Sequence, residues 1–264
     1  MEFNKYCVAL KLKQEGVGRK QILDEIFNRK MFDQREEEEM YRKKLTTSKV
    51  EVISCNEKIY PKYLKEIYDY PLVLFTKGDK SLLQKRMITV VGTRKMSSYG
   101  KWAVGYILRA LKNEDIVVVS GLANGIDAQV HKVCLDLEIP TMAVVAGGID
   151  RGYPKSNQRV YEDISKRGLI ISEFPPGRKI TKGMFPIRNR ILAGISSATV
   201  VIESDIRGGS LITMNLALEY GRDIFCLPCN ISRYSLQGCN MGIGQGAIPL
   251  YNPDQLLEFC RDEI

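Results

Sequence analysis

The sequence predicts a doubly wound α/β fold, in which helices cover both faces of a mostly parallel β-sheet. Three observations lead to this prediction. From residue 50 onward, short β-branched apolar runs alternate with helical stretches. Most of these runs are almost unbroken in apolar residues, which is typical of strands buried on both faces of a sheet. Glycine-rich turns follow several of the runs, at the points where strands would lead into helices.

The elements follow one another in regular order. The eight predicted strands cover residues 50–54, 72–76, 88–91, 116–119, 141–145, 169–171, 199–202 and 224–227. The five predicted helices between them cover residues 100–111, 126–137, 156–167, 187–195 and 209–220. Ligands of such sheets bind outside the carboxyl ends of the strands. The turns after the strands are therefore where we expect the functional site.

The first part of the chain has a different pattern. Residues 1–48 contain helical stripes at 6–12 and 19–27, and we expect them to form a small helical accessory domain in front of the main domain, 49–264. The connection at residues 15–18 loosely resembles the turn of a helix-hairpin-helix, which binds DNA backbones, and a SAM-like domain is a further option. A plain helical cap or a partner-binding module fits the same pattern.

Composition limits the class of protein. Among the 264 residues, 39 basic side chains against 31 acidic ones leave a formal net charge of +8, which favours polyanions such as nucleic acid or an anionic membrane surface. No apolar run is long enough to span a membrane, and the N-terminus lacks the apolar core of a signal peptide, so we expect a cytoplasmic protein. Seven cysteines without regular spacing suit reduced thiols.

A metal site is not expected. Cys226, Cys229 and Cys239 form the sole cluster with metal-like spacing, and a closed zinc site needs four ligands. The single histidine, His131, lies in a distant helical pattern. We therefore predict neither a metal nor a cofactor.

Four glycine-rich turns carry the functional signal. They cover residues 92–98, 120–127, 147–155 and 203–210. Glycine permits tight turns, and hydroxyl groups there can cap the helix that follows. In the first turn, Arg94 and Lys95 stand where an anion would bind at a helix start. Because all four turns follow strands of one sheet, we expect them to form a single surface.

A fifth segment adds phosphate donors. Pro186 suits the first turn of a helix, and the residues after it are Arg188, Asn189 and Arg190. A helix start offers free backbone N–H groups and a partial positive charge, and guanidinium groups add strong donors to phosphate. The segment predicts an anion site with no chemical machinery attached.

Catalytic patterns are weak throughout. No G-x-G-x-x-G follows a strand, no G-x-S-x-G is present, and the Walker-like stretch 92–101 has the wrong length. We interpret His131 as structural, because no nucleophile accompanies it. Asp127, Asp150 and Glu203 fall in turns, where carboxylates commonly accept hydrogen bonds from nearby backbone N–H groups. We expect a protein that is not an enzyme.

An ordered series of motifs resembles the DprA/Smf family of DNA-processing proteins. It comprises residues 120–127 with His131, 153–154, 172–177, 185–194, 209–213 and 245–247, and the resemblance spans residues 55–260. The resemblance implies an extended Rossmann-like core that binds single-stranded DNA and forms homodimers. It also implies a recombination mediator, without catalysis, that protects incoming DNA and loads the RecA recombinase onto it during natural transformation. The chain ends soon after residue 259, so we expect no C-terminal winged-helix domain.

The resemblance also suggests how DNA is held. The DNA-binding residues it implies are Arg94, Lys95, Gly121, Lys155, Lys182, Arg188, Asn189, Arg190, Gly209 and Ser210. Tyr153 and Phe174 are candidate surfaces for base stacking. The sequence departs from the family pattern at Asn124, where a basic residue is frequent, at Gly208, and at Cys229.

Two other classes stay open at this stage. A nucleotide-processing phosphoribohydrolase of similar Rossmann type needs a P-G-G-x-G-T-x-x-E stretch, which residues 146–150 and 207–211 only partly approximate. In that reading Glu203 would be essential. The other class is a scaffold that contacts protein partners through the helices of residues 1–48.

Overall fold

The computed structural model describes residues 35–233 and 236–262, together with Lys5, Val8, Ala9 and residues 20–22. The predicted turn at 15–18, and most of the predicted helices at 6–12 and 19–27, lie outside these residues. The predicted boundary between residues 48 and 49 therefore stays a prediction.

A nine-stranded sheet forms the centre of the protein. Its strands are β1 (Glu51–Ser54), β2 (Val73–Gly78), β3 (Arg86–Val91), β4 (Ile116–Ser120), β5 (Thr141–Val144), β6 (Leu169–Ser172), β7 (Ala198–Val201), β8 (Asp223–Cys226) and β9 (Ile248–Pro249). Their spatial order is β1-β2-β6-β5-β4-β3-β7-β8-β9. From β6 to β9 every pair of neighbours is parallel, whereas β2 pairs antiparallel with both β1 and β6. The predicted mostly parallel, doubly wound sheet of Rossmann-like type is confirmed.

Helices connect the parallel strands. In chain order they are α1 (Arg35–Thr47), α2 (Lys62–Glu66), α3 (Ser98–Ala110), α4 (Ile126–Leu137), α5 (Gln158–Arg167), α6 (Met184–Gly194), α7 (Gly209–Glu219), α8 (Gly238–Gly244) and α9 (Asp254–Asp262). All eight predicted strands and five predicted helices are present, with ends that differ by three residues at most. Four elements were not predicted, namely β9, α2, α8 and α9. The first two are too short for periodicity to indicate them. None of the helices in the described part of the chain has the length and apolar composition needed to cross a bilayer.

The apolar runs of the strands divide between two hydrophobic layers. Val117 and Val119 of β4 belong to the layer that also holds Leu64 of α2 and Ile164 of α5. Their neighbours in the strand, Ile116 and Val118, belong to the layer that holds residues of α3, α4 and α9. Successive side chains of a strand point to opposite faces, so a strand covered on both sides needs apolar residues at every position.

Helix α1 packs on the first of these layers. Its side chains Tyr41 and Leu45 are buried in the same cluster as Val52 of β1 and Phe75 of β2. Helix α1 therefore packs against the two antiparallel strands. The last turn of α5 also lies at this end of the molecule, because β2 pairs with β6, which directly follows α5.

The strand order creates one topological switch point. The chain places β4, β5 and β6 on one side of β3, and then places β7, β8 and β9 on its other side. The turns after β3, β4, β5 and β7 all leave from the carboxyl edge of the sheet, and α6 begins at the same edge after β6. Crevices at such an edge bind ligands in open α/β sheets.

Candidate functional site

A pocket of about 100 Å³ opens at the carboxyl edge of the sheet. The turns after β3, β4 and β5 and the first two turns of α6 all contribute to it. Its lining residues are Arg94, Gly121, Ala123, Asn124, Ala146, Tyr153, Pro154, Phe185 and Arg188. Four of the predicted site residues, Arg94, Gly121, Tyr153 and Arg188, therefore meet in one pocket, although they are far apart in the chain.

Arg188 supplies a buried positive charge to this pocket. The residue is only 4% exposed, and its Nη1 donates a hydrogen bond of 3.3 Å to the carbonyl oxygen of Val144. The same nitrogen lies 4.0 Å from Oδ2 of Asp127. Its buried Nε has no hydrogen-bond partner among the described residues. A guanidinium has five N–H donors, and the acceptors around Arg188 are fewer than that. The unused donors can bind an anion in the pocket.

Asp127 is the buried carboxylate next to this guanidinium. Burial raises the pKa of Asp127, while the charge of Arg188 and hydrogen bonds from backbone N–H groups oppose that rise. The backbone N–H of Ala123 donates to Oδ2 of Asp127 at 3.4 Å, as expected for a carboxylate in such a turn. Asp127 is buried and is not among the residues that line the pocket, so we interpret it as a partner of Arg188 and not as an acid–base group.

Gly121 leaves the space that the guanidinium occupies. A Cβ atom at this position would lie 1.6 Å from Nη1 of Arg188 and 2.6 Å from Oδ2 of Asp127. No other residue fits there while Arg188 keeps its position. The glycine of this turn is thus required by the close approach of a side chain, which the sequence alone did not indicate.

The rim of the pocket combines a second guanidinium with two aromatic rings. Cζ of the exposed Arg94 lies 5.3 Å from the centroid of the Phe185 ring, within the range of a cation–π contact. The Phe185 and Tyr153 rings have centroids 5.7 Å apart and planes inclined at 57°. Phe174, predicted as a stacking surface, is half-buried and does not line the pocket. Phe185, in the first turn of α6, lines the pocket, whereas residue 174 lies in the loop after β6.

Three predicted lysines surround the pocket without lining it. Lys95 follows Arg94, Lys155 follows Pro154, and Lys182 lies two residues before α6. All three side chains are exposed, and within the described chain no carboxylate forms a salt bridge with them. They extend the positive charge of the pocket outward along three neighbouring loops.

Arg190 does not belong to the pocket, contrary to the grouping that the sequence suggested. Its Nη2 donates to both carboxylate oxygens of Glu173, at 2.7 and 2.8 Å, and its Nε lies 3.1 Å from Oδ2 of Asp69. Residues two apart in a helix are separated by about 200° around its axis. Arg188 and Arg190 therefore face opposite sides of α6, and the charge of Arg190 is compensated by two carboxylates.

Asn189, Gly209 and Ser210 form a separate group at the same edge of the sheet. Nδ2 of Asn189 donates to the carbonyl oxygen of Gly209 at 3.4 Å, which ties α6 to the start of α7. The hydroxyl of Ser210 lies 2.9 Å from that of Ser204. Gly209 itself is exposed, and a Cβ built on it meets no atom within 4 Å. These residues lie beside the switch point, outside the pocket lining.

The remaining carboxylates of the turns have structural partners. Glu203 is 1% exposed and accepts hydrogen bonds from the backbone N–H and the hydroxyl of Ser97, the N-cap residue of α3. Asp150 accepts from the backbone N–H of Gly177 at 2.7 Å. Glu203, which the phosphoribohydrolase hypothesis requires, thus holds the N-cap residue of α3.

The cysteine cluster offers no metal site within the described ranges. No group of three or more His, Cys, Asp or Glu side chains is arranged there to hold an ion. Cys226, Cys229 and Cys239 are free thiols, and Sγ of Cys226 lies 3.7 Å from Sδ of Met214.

His131 has a structural environment. It is fully buried, and its Nδ1 lies 2.8 Å from Oγ1 of Thr141, which in turn donates to the carbonyl oxygen of Val118. Burial lowers the pKa of His131 to about 3. The imidazole is therefore neutral, and it links α4 to β5 and β4.

The chain is similar to known proteins over most of its length. The family described as DNA recombination-mediator protein A matches residues 51–261. DNA processing protein DprA of Bacillus subtilis is 39% identical over 210 residues, which cover 79% of this chain and 71% of that protein. The X-ray structure of DprA from Streptococcus pneumoniae gives a TM-score of 0.85 at 34% identity, with 98% of both chains covered. The structure of DNA processing protein A from Helicobacter pylori, which concerns its single-stranded DNA binding mode, gives 0.73 at 27% identity. It covers 81% of this chain and 96% of the other.

The buried histidine predicts a pH dependence of stability. An unfolded chain protonates His131 with a pKa near 6.5, whereas the folded protein resists protonation until about pH 3. The unfolded state thus binds more protons in this window, and the contribution of His131 falls by about 1.4 kcal/mol per pH unit as the pH drops below 6.5. We expect His131→Gln to lose stability less steeply than the parent protein between pH 6 and pH 5, as measured by denaturant unfolding. Identical slopes would contradict a neutral buried imidazole.

Proposed function

The chain belongs to the DNA recombination-mediator protein A family, and from this premise we propose that it binds single-stranded DNA in the pocket between Arg94 and Arg188. The observation that carries the proposal is the buried guanidinium of Arg188, whose donors are incompletely used, below a rim of one cation and two aromatic rings. The Helicobacter pylori relative, described for its single-stranded DNA binding mode, supports the same ligand class.

The chemistry of the pocket fits an unpaired strand. Arg188 and Arg94 would bind phosphate oxygens through charge-assisted hydrogen bonds. Tyr153, which is 48% exposed, and Phe185 offer ring surfaces on which bases can stack. In a duplex the faces of the bases are already stacked on one another, so the aromatic rim favours single strands.

Residues around the pocket would extend the contact. Lys95, Lys155 and Lys182 would follow the phosphate backbone as point charges. Asn189, Gly209 and Ser210 would add neutral hydrogen bonds where the strand passes the switch point. Arg190 is different, since we assign it to anchoring α6 through Glu173 and Asp69.

A mediator role in recombination follows from the family. We propose that the protein acts in the cytoplasm as a homodimer, protects single strands that enter during natural transformation, and loads RecA onto them. The pocket needs no reaction for this task, because holding a strand and transferring it are binding events.

Removing the cation at the rim should change the salt dependence of binding. Each phosphate neutralised on a single strand contributes about −0.7 to the slope of log affinity against log salt concentration. We expect Arg94→Ala to weaken oligothymidine binding and to flatten this slope by about 0.7, as measured by fluorescence anisotropy across a salt series. Lys112→Ala, which removes an exposed charge outside the pocket, should leave the slope unchanged. A parent protein with a flat slope would refute the proposed pocket.

Filling the space at residue 121 should disturb the pocket without changing its charge. In Gly121→Ala the new methyl group would displace the Arg188 guanidinium. We expect affinity for oligothymidine to fall about tenfold or more, equivalent to about 1.4 kcal/mol. Gly244→Ala is the matched control, because a Cβ there meets no atom within 4 Å. Thermal unfolding of both variants tests whether they remain folded. A folded Gly121→Ala protein with parental affinity would place the DNA elsewhere.

The loading of RecA can be tested separately from binding. We expect the protein to speed the assembly of RecA on oligonucleotides already covered by a competing single-strand binding protein, as followed by the fluorescence of labelled DNA. Arg94→Ala should lose most of this acceleration, because the mediator must first hold the strand. If the protein binds the strand with full affinity but does not accelerate RecA assembly, the proposed binding stands and the proposed mediator role is wrong.

A further inference from the structure

A second basic concave surface lies apart from the pocket. It encloses about 820 Å³ between α1, the two antiparallel strands and the end of α5. Its charged lining residues are Lys5, Arg42, Lys49, Lys77, Lys166 and Glu51. We call this surface the basic groove. Five cations line it against one carboxylate.

Local ion pairs remove only part of this charge. Oε2 of Glu51 lies 2.5 Å from Nζ of Lys80, and Nζ of Lys5 lies 3.0 Å from Oε1 of Glu57. Lys49, Lys77 and Lys166 form no salt bridge with any carboxylate in the described part of the chain. Lys49 and Lys166 are exposed. Nζ of the half-buried Lys77 lies 5.9 Å from the centroid of the Tyr161 ring.

The basic groove and the pocket lie at opposite ends of the sheet. Lys77 and Gly78 pair with Ile170 and Leu169, which begin β6, whereas the pocket lies beyond the carboxyl ends of the parallel strands. Helix α5 starts just after the loop of the pocket and ends in the groove at Lys166. A helix of its ten residues is about 15 Å long, so a ligand in one site does not fill the other.

We propose that the basic groove is a second binding site for single-stranded nucleic acid, which holds the phosphodiester backbone of a segment separate from the one in the pocket. The ammonium groups are point charges on flexible stems, which suit sequence-independent contact with successive phosphates. A lone phosphate would leave most of the 820 Å³ empty. A bilayer surface is nearly flat on this scale, whereas these cations line a concavity. The inference rests on the proposed function for the identity of the polymer.

The test removes the charge of the groove and keeps the pocket intact. The variant Lys49→Gln/Lys77→Gln/Lys166→Gln is compared with Lys65→Gln/Lys112→Gln/Lys132→Gln, which removes three exposed lysines that line neither site. The probe is oligothymidine of about six nucleotides, near the lower end of the site sizes of single-strand binding domains. We expect two oligonucleotides per chain for the parent and the control, and one for the groove variant, by calorimetric titration at low salt.

A long oligonucleotide provides a second readout. On a strand long enough to reach both sites, the groove variant should flatten the slope of log affinity against log salt by about 2, which corresponds to three lost phosphate contacts. Lys49→Gln/Lys166→Gln, which retains the packing of Lys77 on Tyr161, should give about two thirds of that change. It keeps the test valid if the triple variant is unstable.

The outcomes separate this inference from the proposed function. If Arg94→Ala weakens binding while the groove variant retains the parental stoichiometry and slope, the second site is overturned and the pocket stands. If neither variant changes DNA binding, both fail. Polyglutamate and DNA are also compared as competitors at the same total negative charge. If polyglutamate displaces the groove-bound oligonucleotide where duplex or single-stranded DNA does not, the groove binds an acidic protein and the inference is overturned.

Discussion

The buried charge of Arg188 is the constraint on which the candidate site depends. A guanidinium at 4% exposure is tolerated only when acceptors or an opposite charge compensate its loss of water. Asp127 and the carbonyl oxygen of Val144 compensate part of it, and an anionic ligand can supply the rest. The arrangement also explains the local sequence, because the side chain can reach this position only where residue 121 has no Cβ.

Successive residues of helix α6 face different sides, so the helix contacts both the candidate site and the core. Arg188 faces the pocket, Asn189 reaches the start of α7, and Arg190 binds Glu173 and Asp69. One cation is thus available to a ligand while the other fixes the helix that carries it. A helix held on its opposite face can keep a buried guanidinium in place without a ligand, which reduces the reorganisation needed for binding.

The sheet also explains why two basic surfaces can exist without merging. Parallel strands bring one set of loops to the carboxyl edge, where the pocket forms. The antiparallel strands β1 and β2 and helix α1 lie at the other end, and the lysines there are held apart from the pocket by the length of α5. Two sites on one rigid sheet would keep two segments of a strand at a fixed separation.

The sequence by itself determined the order and type of the elements, because apolar runs such as residues 116–119 can be satisfied only between two layers of helices. It also predicted the edge at which the site lies and placed Arg94 and Arg188 there. The tertiary structure decided which side chains meet. It separated Arg190 from Arg188, brought Phe185 and not Phe174 into the pocket, and showed why residue 121 is a glycine. These three features depend on the phase of a helix and on close approach between distant segments. It also brought Lys49, Lys77 and Lys166 together. The sequence could not indicate this grouping, because it does not show which strands pair with one another.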